Sequence, residues 1–236
     1  MKKRFAIITD IHSNLEALEA ILNDIKTQNI DEIICLGDTI GIGKNSKECI
    51  DLLINNHVKS VLGDHEIYLL KGTDINSSIS EKEKEYYKSL KESLTKTEMN
   101  YIKNCPLYYE INIKYENPNL KRKYILCHYL INDENAPYPF EKNNLKNDIN
   151  LWKKYNDSNI TYIIGHLHTS FDSNDVEGIK GDFIEDDKTL TNIEVIDSAG
   201  CAKDDYTSYK IIEISKELKQ QLRKIKYTNE KISNTM

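Results

Sequence analysis

The chain has 236 residues, 30% of them charged and 39% hydrophobic, with a formal net charge of −6. That length suits one large domain or two small ones with a full core, while a mean hydropathy of −0.59 and no apolar run near the roughly 18 residues of a membrane helix exclude a transmembrane span. The acidic balance, with arginine only at Arg4, Arg122 and Arg223, argues against a large nucleic acid held by surface charge and against an arginine-lined phosphate clamp.

Met1-Lys2-Lys3-Arg4 leads into an apolar run, Phe5 to Ile8, that is too short for a signal-peptide core, so a soluble cytoplasmic protein is expected. Lys2 to Thr9 reads as a strand ending at Asp10. Leu15, Leu18, Ile21, Leu22 and Ile25 then recur at helical spacing, with Ser13 or Asn14 placed as the cap. Glu32 to Leu36 is a second strand stopped by Gly37-Asp38, Ser46 to Asn55 a second helix, and Val58 to Leu62 a third strand stopped by Gly63-Asp64. This alternation predicts a parallel α/β sheet.

Residues from Glu66 to Asn104 read as charged helix, interrupted at Gly72-Thr73 and Ser77-Ser78 and ended by Cys105-Pro106. Strands are expected at Tyr108–Tyr115, Lys123–Cys127, Thr161–Ile164, Thr191–Ile196 and Ser208–Ile214, with a loop from Tyr129 to Phe140 and a helix from Leu145 to Tyr155. Phe171 to Asp187, with seven acidic residues and one lysine, reads as an exposed connection, and the lysine-rich end as a further strand or a frayed tail. With no internal repeat and no clear linker, residues 1–236 read as a single domain. Five cysteines (Cys35, Cys49, Cys105, Cys127, Cys201) without a Cys-x-x-Cys pair read as reduced thiols.

The strong strands end alike, in an apolar run followed by Asp or His. Asp10 and His12 follow the first, Asp38 the second, Asp64 and His65 the third, His128 a later one, and His166 and His168 another. In α/β folds the ligand site lies beyond the carboxyl ends of the strands, so these side chains would converge on one edge. Gathered carboxylates and imidazoles need a cation to offset repulsion and lost hydration, and the mixture suits Zn, Mn, Fe or Ni. Only His57, at a helix end, reads as an ordinary surface histidine.

Taken together, Asp10-x-His12, Gly37-Asp38-x-x-Gly41, Gly63-Asp64-His65-Glu66, His128 and Gly165-His166-x-His168 resemble the motifs of the calcineurin-like metallophosphoesterase superfamily. The helix from Asn14 to Ala20 and the loop from Gly41 to Asn45 resemble its small bacterial branch of phosphodiesterases and diadenosine-tetraphosphatase-like proteins. The resemblance implies a four-layer α/β/β/α sandwich and two divalent metal ions, Mn2+ first with Fe, Ni, Zn or Mg as alternatives. By motif position Asp10, His12, Asp38 and His168 would hold one ion, with Asp38 bridging to a second completed by Asp64, His128 and His166. A water shared by the ions would be the nucleophile, and His65 the catalytic histidine near the leaving oxygen of a small phosphoester.

Four places depart from the family pattern; one, Asp197-Ser198-Ala199-Gly200 in place of an Asn-Pro-Gly-Ser-like turn, carries no role. Asp64 stands where the family usually has asparagine, so two divalent ions would leave one net positive charge rather than two, predicting tighter metal binding and slower turnover than with an amide. Ser13 and Tyr129 each stand where glycine is usual. Tyr129, with Tyr138 and Phe140, would line a substrate pocket or simply anchor a loop. Two rival functions follow: a phosphoprotein phosphatase, disfavoured because the Gly37–Gly41 motif has no arginine, and an attenuated metal-binding scaffold for protein partners, favoured by Asp64 alone.

Overall fold

Alternate side chains of the first strand enter two different cores. β1 (Lys3–Ile8) lies parallel to β2 (Glu32–Cys35), and β2 is parallel to the short β3 (Lys59–Ser60). Phe5 and Ile7 pack with Ile34, Leu36 and Val61 against Tyr124, Leu126 and Ile163, whereas Ala6 and Ile8 pack with Leu18, Ile21, Leu22, Cys49 and Leu53. The period of two therefore buries both faces of β1, one against a second sheet and one against helices.

The computed structural model describes residues 3–76, 78–114, 121–130, 160–166, 168, 184–185, 188–189, 193–196, 198–200, 206–214 and 218–226. The helices over the first sheet are α1 (Leu15–Ile25) and α2 (Ser46–Asn55). Asn14 caps α1 by accepting the Ala17 N–H at 3.1 Å. Next come α3 (Asp64–Lys71), a 3-10 turn (Thr73–Ile75), α4 (Glu81–Ser93) and α5 (Lys96–Lys103). Ile40, Ile50, Leu69, Tyr87, Leu90 and Ile102 form the core of this helical part.

The second sheet is built from β4 (Tyr108–Lys114), β5 (Lys121–Cys127) and β6 (Ile160–Ile164), followed after the two-stranded β7 (Ile184–Glu185) and β8 (Lys188–Thr189) by β9 (Ile193–Val195). Its order is β4-β5-β6-β9, antiparallel only at β4. β10 (Tyr206–Ile214) and β11 (Leu218–Lys226) return to the first sheet, whose order is β11-β10-β1-β2-β3. Asp24 of α1 ties helix to sheet, accepting from Tyr209 Oη at 2.6 Å and from Arg223 Nη2 at 2.8 Å. Helices, first sheet and second sheet make three of the expected four layers; the helix expected over Leu145–Tyr155 lies outside the described residues.

Some boundaries differ from expectation. The third strand keeps only Lys59–Ser60, because past Val61 the chain turns to Pro106, whose carbonyl takes the Leu62 N–H at 2.9 Å. The stretch expected as helix to Asn104 also breaks at Thr95, which caps α5 by accepting the Glu98 N–H at 3.3 Å. Strand β7 lies within the acidic connection and pairs with β8 just past its end. The lysine-rich end forms β11. Cys35, Cys49, Cys105 and Cys127 are free thiols, and burial pushes Cys35 and Cys127 up to about 12; Cys201 lies outside the described residues.

Candidate metal centre

Strand pairing continues past the strand ends as hydrogen bonds between loops, and those loops carry the predicted residues. Asp10 N–H reaches the Gly37 carbonyl at 3.1 Å, His12 N–H the Asp38 carbonyl at 2.9 Å, and Gly165 N–H the His128 carbonyl at 3.1 Å. Ala199 and Gly200 donate to the Thr9 and Asp10 carbonyls, both at 2.8 Å, so the 198–200 turn clamps the first loop; Asp197 lies outside the described residues. Asp10, His12, Asp38, His166 and His168 all have positive φ, between 45° and 69°. Asp and His tolerate this region better than bulkier residues, yet such a concentration is strain held by the surrounding fold.

The result is two groups of ligand-type atoms, each within 4.8 Å of one another. One joins Asp10, His12, Asp38 and His168; the other joins Asp38, Asp64, His128 and His166. In the first, His12 Nε2 lies 2.7 Å from His168 Nε2, and His168 Nε2 lies 3.4 Å from Asp10 Oδ1. In the second, His128 Nε2 is 3.0 Å from Asp64 Oδ1 and 3.2 Å from Asp38 Oδ2, while His166 Nδ1 is 3.4 Å from Asp64 Oδ1. Asp10, His12, Asp38 and His128 are buried, and His168 stands at the open side.

Burial by itself would raise the Asp10 carboxyl, but the imidazoles of His12, His128 and His168 carry it far below the usual carboxylate range. Burial opposes ionisation at Asp64 too, and His128 and His166 outweigh it. At His128 burial disfavours the charged ring, yet Asp38 and Asp10 raise its pKa well above the usual value. A divalent cation between these groups would offset the carboxylates in the same sense. The donors are carboxylate oxygens and imidazole nitrogens without thiolate, a set that fits Mn, Fe, Ni or Zn.

His65 belongs to neither group. Its Nε2 lies 4.0 Å from Asp38 Oδ2, and its ring is 4.9 Å from that of His12. Gly41, at φ +92°, passes so close to the His65 ring that a Cβ there would overlap it. A Cβ on Gly165 would likewise overlap Thr9 and meet the Asp10 carboxylate. Between Gly41 and Gly43 stands Ile42, 71% exposed and at φ +51°, a costly conformation for a β-branched residue. Ile42→Gly should stabilise the fold by about 1 kcal/mol, strain relief exceeding the added unfolded-state entropy; a thermal melt with unchanged or lowered Tm would contradict this.

Ser13 directs its hydroxyl to Ser46 Oγ at 2.6 Å. Tyr129 is buried, its ring edge-on to His128 at 5.2 Å and to His166 at 5.6 Å. Tyr138 and Phe140 lie outside the described residues. His57 is exposed at the end of α2, as expected of a surface histidine.

Two contributors have no role in the sequence-based reading. Glu66, buried in α3, accepts N–H groups from Gly63 at 2.9 Å, Asp38 at 2.8 Å and Thr39 at 2.9 Å, joining two of the site loops. Burial and the facing Asp38 charge push its carboxyl up to about 7, against the pull of the Gly63 and Asp38 N–H groups. The other is Tyr87 of α4, whose phenol oxygen sits 2.5 Å from His65 Nδ1.

Comparison with known proteins places this geometry among relatives. The profile of the family described as calcineurin-like phosphoesterase matches residues 3–195. An uncharacterized protein of Methanocaldococcus jannaschii is 50% identical over 70 residues, which is 30% of this chain and 29% of that protein. The match thus spans under a third of the curated relative. A metallophosphoesterase from Sphaerobacter thermophilus is 19% identical with a TM-score of 0.60, covering 96% of this chain and 89% of that one. A hypothetical protein from Pyrococcus horikoshii is 17% identical with a TM-score of 0.63, covering 97% and 90%. Both structures share the fold.

Proposed function

The chain belongs to the calcineurin-like phosphoesterase family, and from that premise we propose that it hydrolyses a phosphomono- or phosphodiester of a small, nucleotide-like molecule, using two divalent cations with manganese foremost. The observation that carries the reading is the sharing of Asp38 by two adjacent carboxylate–imidazole groups. Such a pair of cations supplies positive charge to the phosphoryl oxygens and makes a water acidic enough to attack at neutral pH.

The chain's own residues prepare the site for this. Asp38 would bridge, Asp10, His12 and His168 would complete one site, and Asp64, His128 and His166 the other. His128 Nδ1 lies 2.8 Å from the Leu36 carbonyl, which fixes the ring and leaves Nε2 for a cation. His65, near Asp38 but outside both groups, would donate a hydrogen bond to the leaving oxygen. Tyr129, with Tyr138 and Phe140, would border the substrate. We assign the whole chain to one domain, and the free thiols support a cytoplasmic setting.

A substrate panel tests the proposal: p-nitrophenyl phosphate, bis-p-nitrophenyl phosphate, a dinucleoside tetraphosphate and a phosphopeptide, each with Mn, Ni, Mg, Zn and a chelator. Turnover of the small esters that a chelator abolishes is expected. Preference for the phosphopeptide would favour a protein phosphatase, and no metal-dependent turnover at all would favour a binding scaffold. Asp64→Asn removes one negative charge beside His128 and His166. It should weaken cation binding several-fold and raise kcat; an unchanged or lower kcat would show that the carboxylate does not slow the enzyme.

A further inference from the structure

Among the imidazoles around Asp38, those of His128 and His65 have their second nitrogens held by different groups. His128 sets Nδ1 against the carbonyl oxygen of Leu36. A carbonyl only accepts, so Nδ1 carries the hydrogen and the neutral ring keeps its lone pair on Nε2, the nitrogen facing Asp38 and Asp64. His65 instead sets Nδ1 2.5 Å from the phenol oxygen of Tyr87. The Tyr87 side chain is buried, and among the described residues its hydroxyl makes no other hydrogen bond, so its proton has one destination, His65 Nδ1. Burial raises the phenol far above its usual range, which keeps that proton on the oxygen.

We propose that Tyr87 is a positioning residue that fixes His65 as the Nε2–H tautomer, so that the ring offers a hydrogen-bond donor to a phosphoester oxygen and is barred from binding a cation. With a proton on Nε2 and Nδ1 occupied by the phenol, His65 has no lone pair to give. It also stands outside both ligand groups, its Nε2 4.0 Å from Asp38 Oδ2. Neighbouring residues hold this pair in place. The Tyr87 ring meets those of Tyr86 at 5.1 Å and Tyr68 at 5.9 Å. Tyr86 Oη in turn accepts the Gly41 N–H at 3.0 Å and bonds Ser46 Oγ at 2.6 Å, anchoring the residue that backs the His65 ring. The partner is a neutral donor rather than a carboxylate, so it lends no stabilisation to an imidazolium. His65 donates through its Nε2–H, in the way a backbone N–H would.

The tautomer is independent of catalysis, whereas its use on a phosphoester rests on the proposed function, and two measurements separate them. Long-range 1H–15N correlation on the metal-free protein at alkaline pH reads the His65 tautomer directly. The expected pattern is Nε2–H in the wild type and a mixture in Tyr87→Phe. A wild-type ring protonated on Nδ1 overturns the proposal, and this holds even if the variant fails to fold. In the metal-loaded enzyme, Tyr87→Phe should lower kcat on bis-p-nitrophenyl phosphate about tenfold with KM unchanged, the weight of one buried hydrogen bond. Unchanged 15N shifts and unchanged kcat in the variant would also overturn it. A wild type with the Nε2–H ring but no metal-dependent turnover would support the Tyr87–His65 assignment and remove the phosphoesterase reading.

Discussion

Replacing Asp38 by alanine is expected to abolish turnover, lowering kcat by roughly a thousandfold or more, in line with the several kcal/mol that metal-ion charge stabilisation is worth. The reason is its position: Asp38 is the one residue present in both ligand-type groups, and its Oδ2 lies 3.2 Å from His128 Nε2 and 3.7 Å from His12 Nε2. Its other oxygen accepts the His65 N–H at 3.0 Å, so the loss also loosens the start of α3. Bound metal measured by elemental analysis should fall together with activity. His57→Ala, remote and exposed, is the control and should keep full turnover. Retention of more than a tenth of the activity in Asp38→Ala would show that the groups do not act as a shared centre.

Glu66→Ala should be the most destabilising single change near the site, costing about 3–5 kcal/mol. Its carboxylate serves four backbone N–H groups in the interior, at Gly63, Asp38, Thr39 and, at 3.4 Å, Ile40. Without it each is a buried donor with nothing to accept it, at a cost of about 1–3 kcal/mol apiece before relaxation. Glu66→Gln keeps one acceptor oxygen but turns an NH2 toward the remaining donors, so it should fall between alanine and wild type. Urea unfolding followed by circular dichroism checks the ranking. Within 1 kcal/mol of wild type, Glu66→Ala would mean that water replaces the carboxylate and the loops are held by other contacts.

What was legible in the sequence, and what was not, divides by the range of the interactions. Asp10, Asp38, Asp64, His128 and His166 could be placed because each follows an apolar run within a few residues, and strand ends of a parallel sheet share an edge. Asn14 was within reach as a cap because capping is local. The partner of His65 was not, since it lies 22 residues away on another helix and is one of fifteen tyrosines. Glu66 was visible only as the last letter of a motif. A side-chain cap has a local signature, but here Glu66 reaches the N–H groups of Asp38 and Thr39, 28 and 27 residues earlier. The break at Thr95 was missed because the charged residues around it suit a helix throughout, and only the Thr95–Glu98 pairing marks the restart.

Both sheets contribute to each ligand group. Asp10, His12, Asp38 and Asp64 follow strands of the first sheet, and His128, His166 and His168 follow strands of the second. A cation held in either group would consequently crosslink the sheets, in the first group joining His12 and His168, 156 positions apart along the chain. Because the unfolded chain lacks this arrangement, cation concentration becomes a stability variable: at a hundredfold excess over the dissociation constant it adds about 2.7 kcal/mol. That increment resists separation of the interface formed by Phe5, Ile7, Tyr124 and Leu126. Loading with metal should therefore slow amide exchange in both sheets together, far from any ligand.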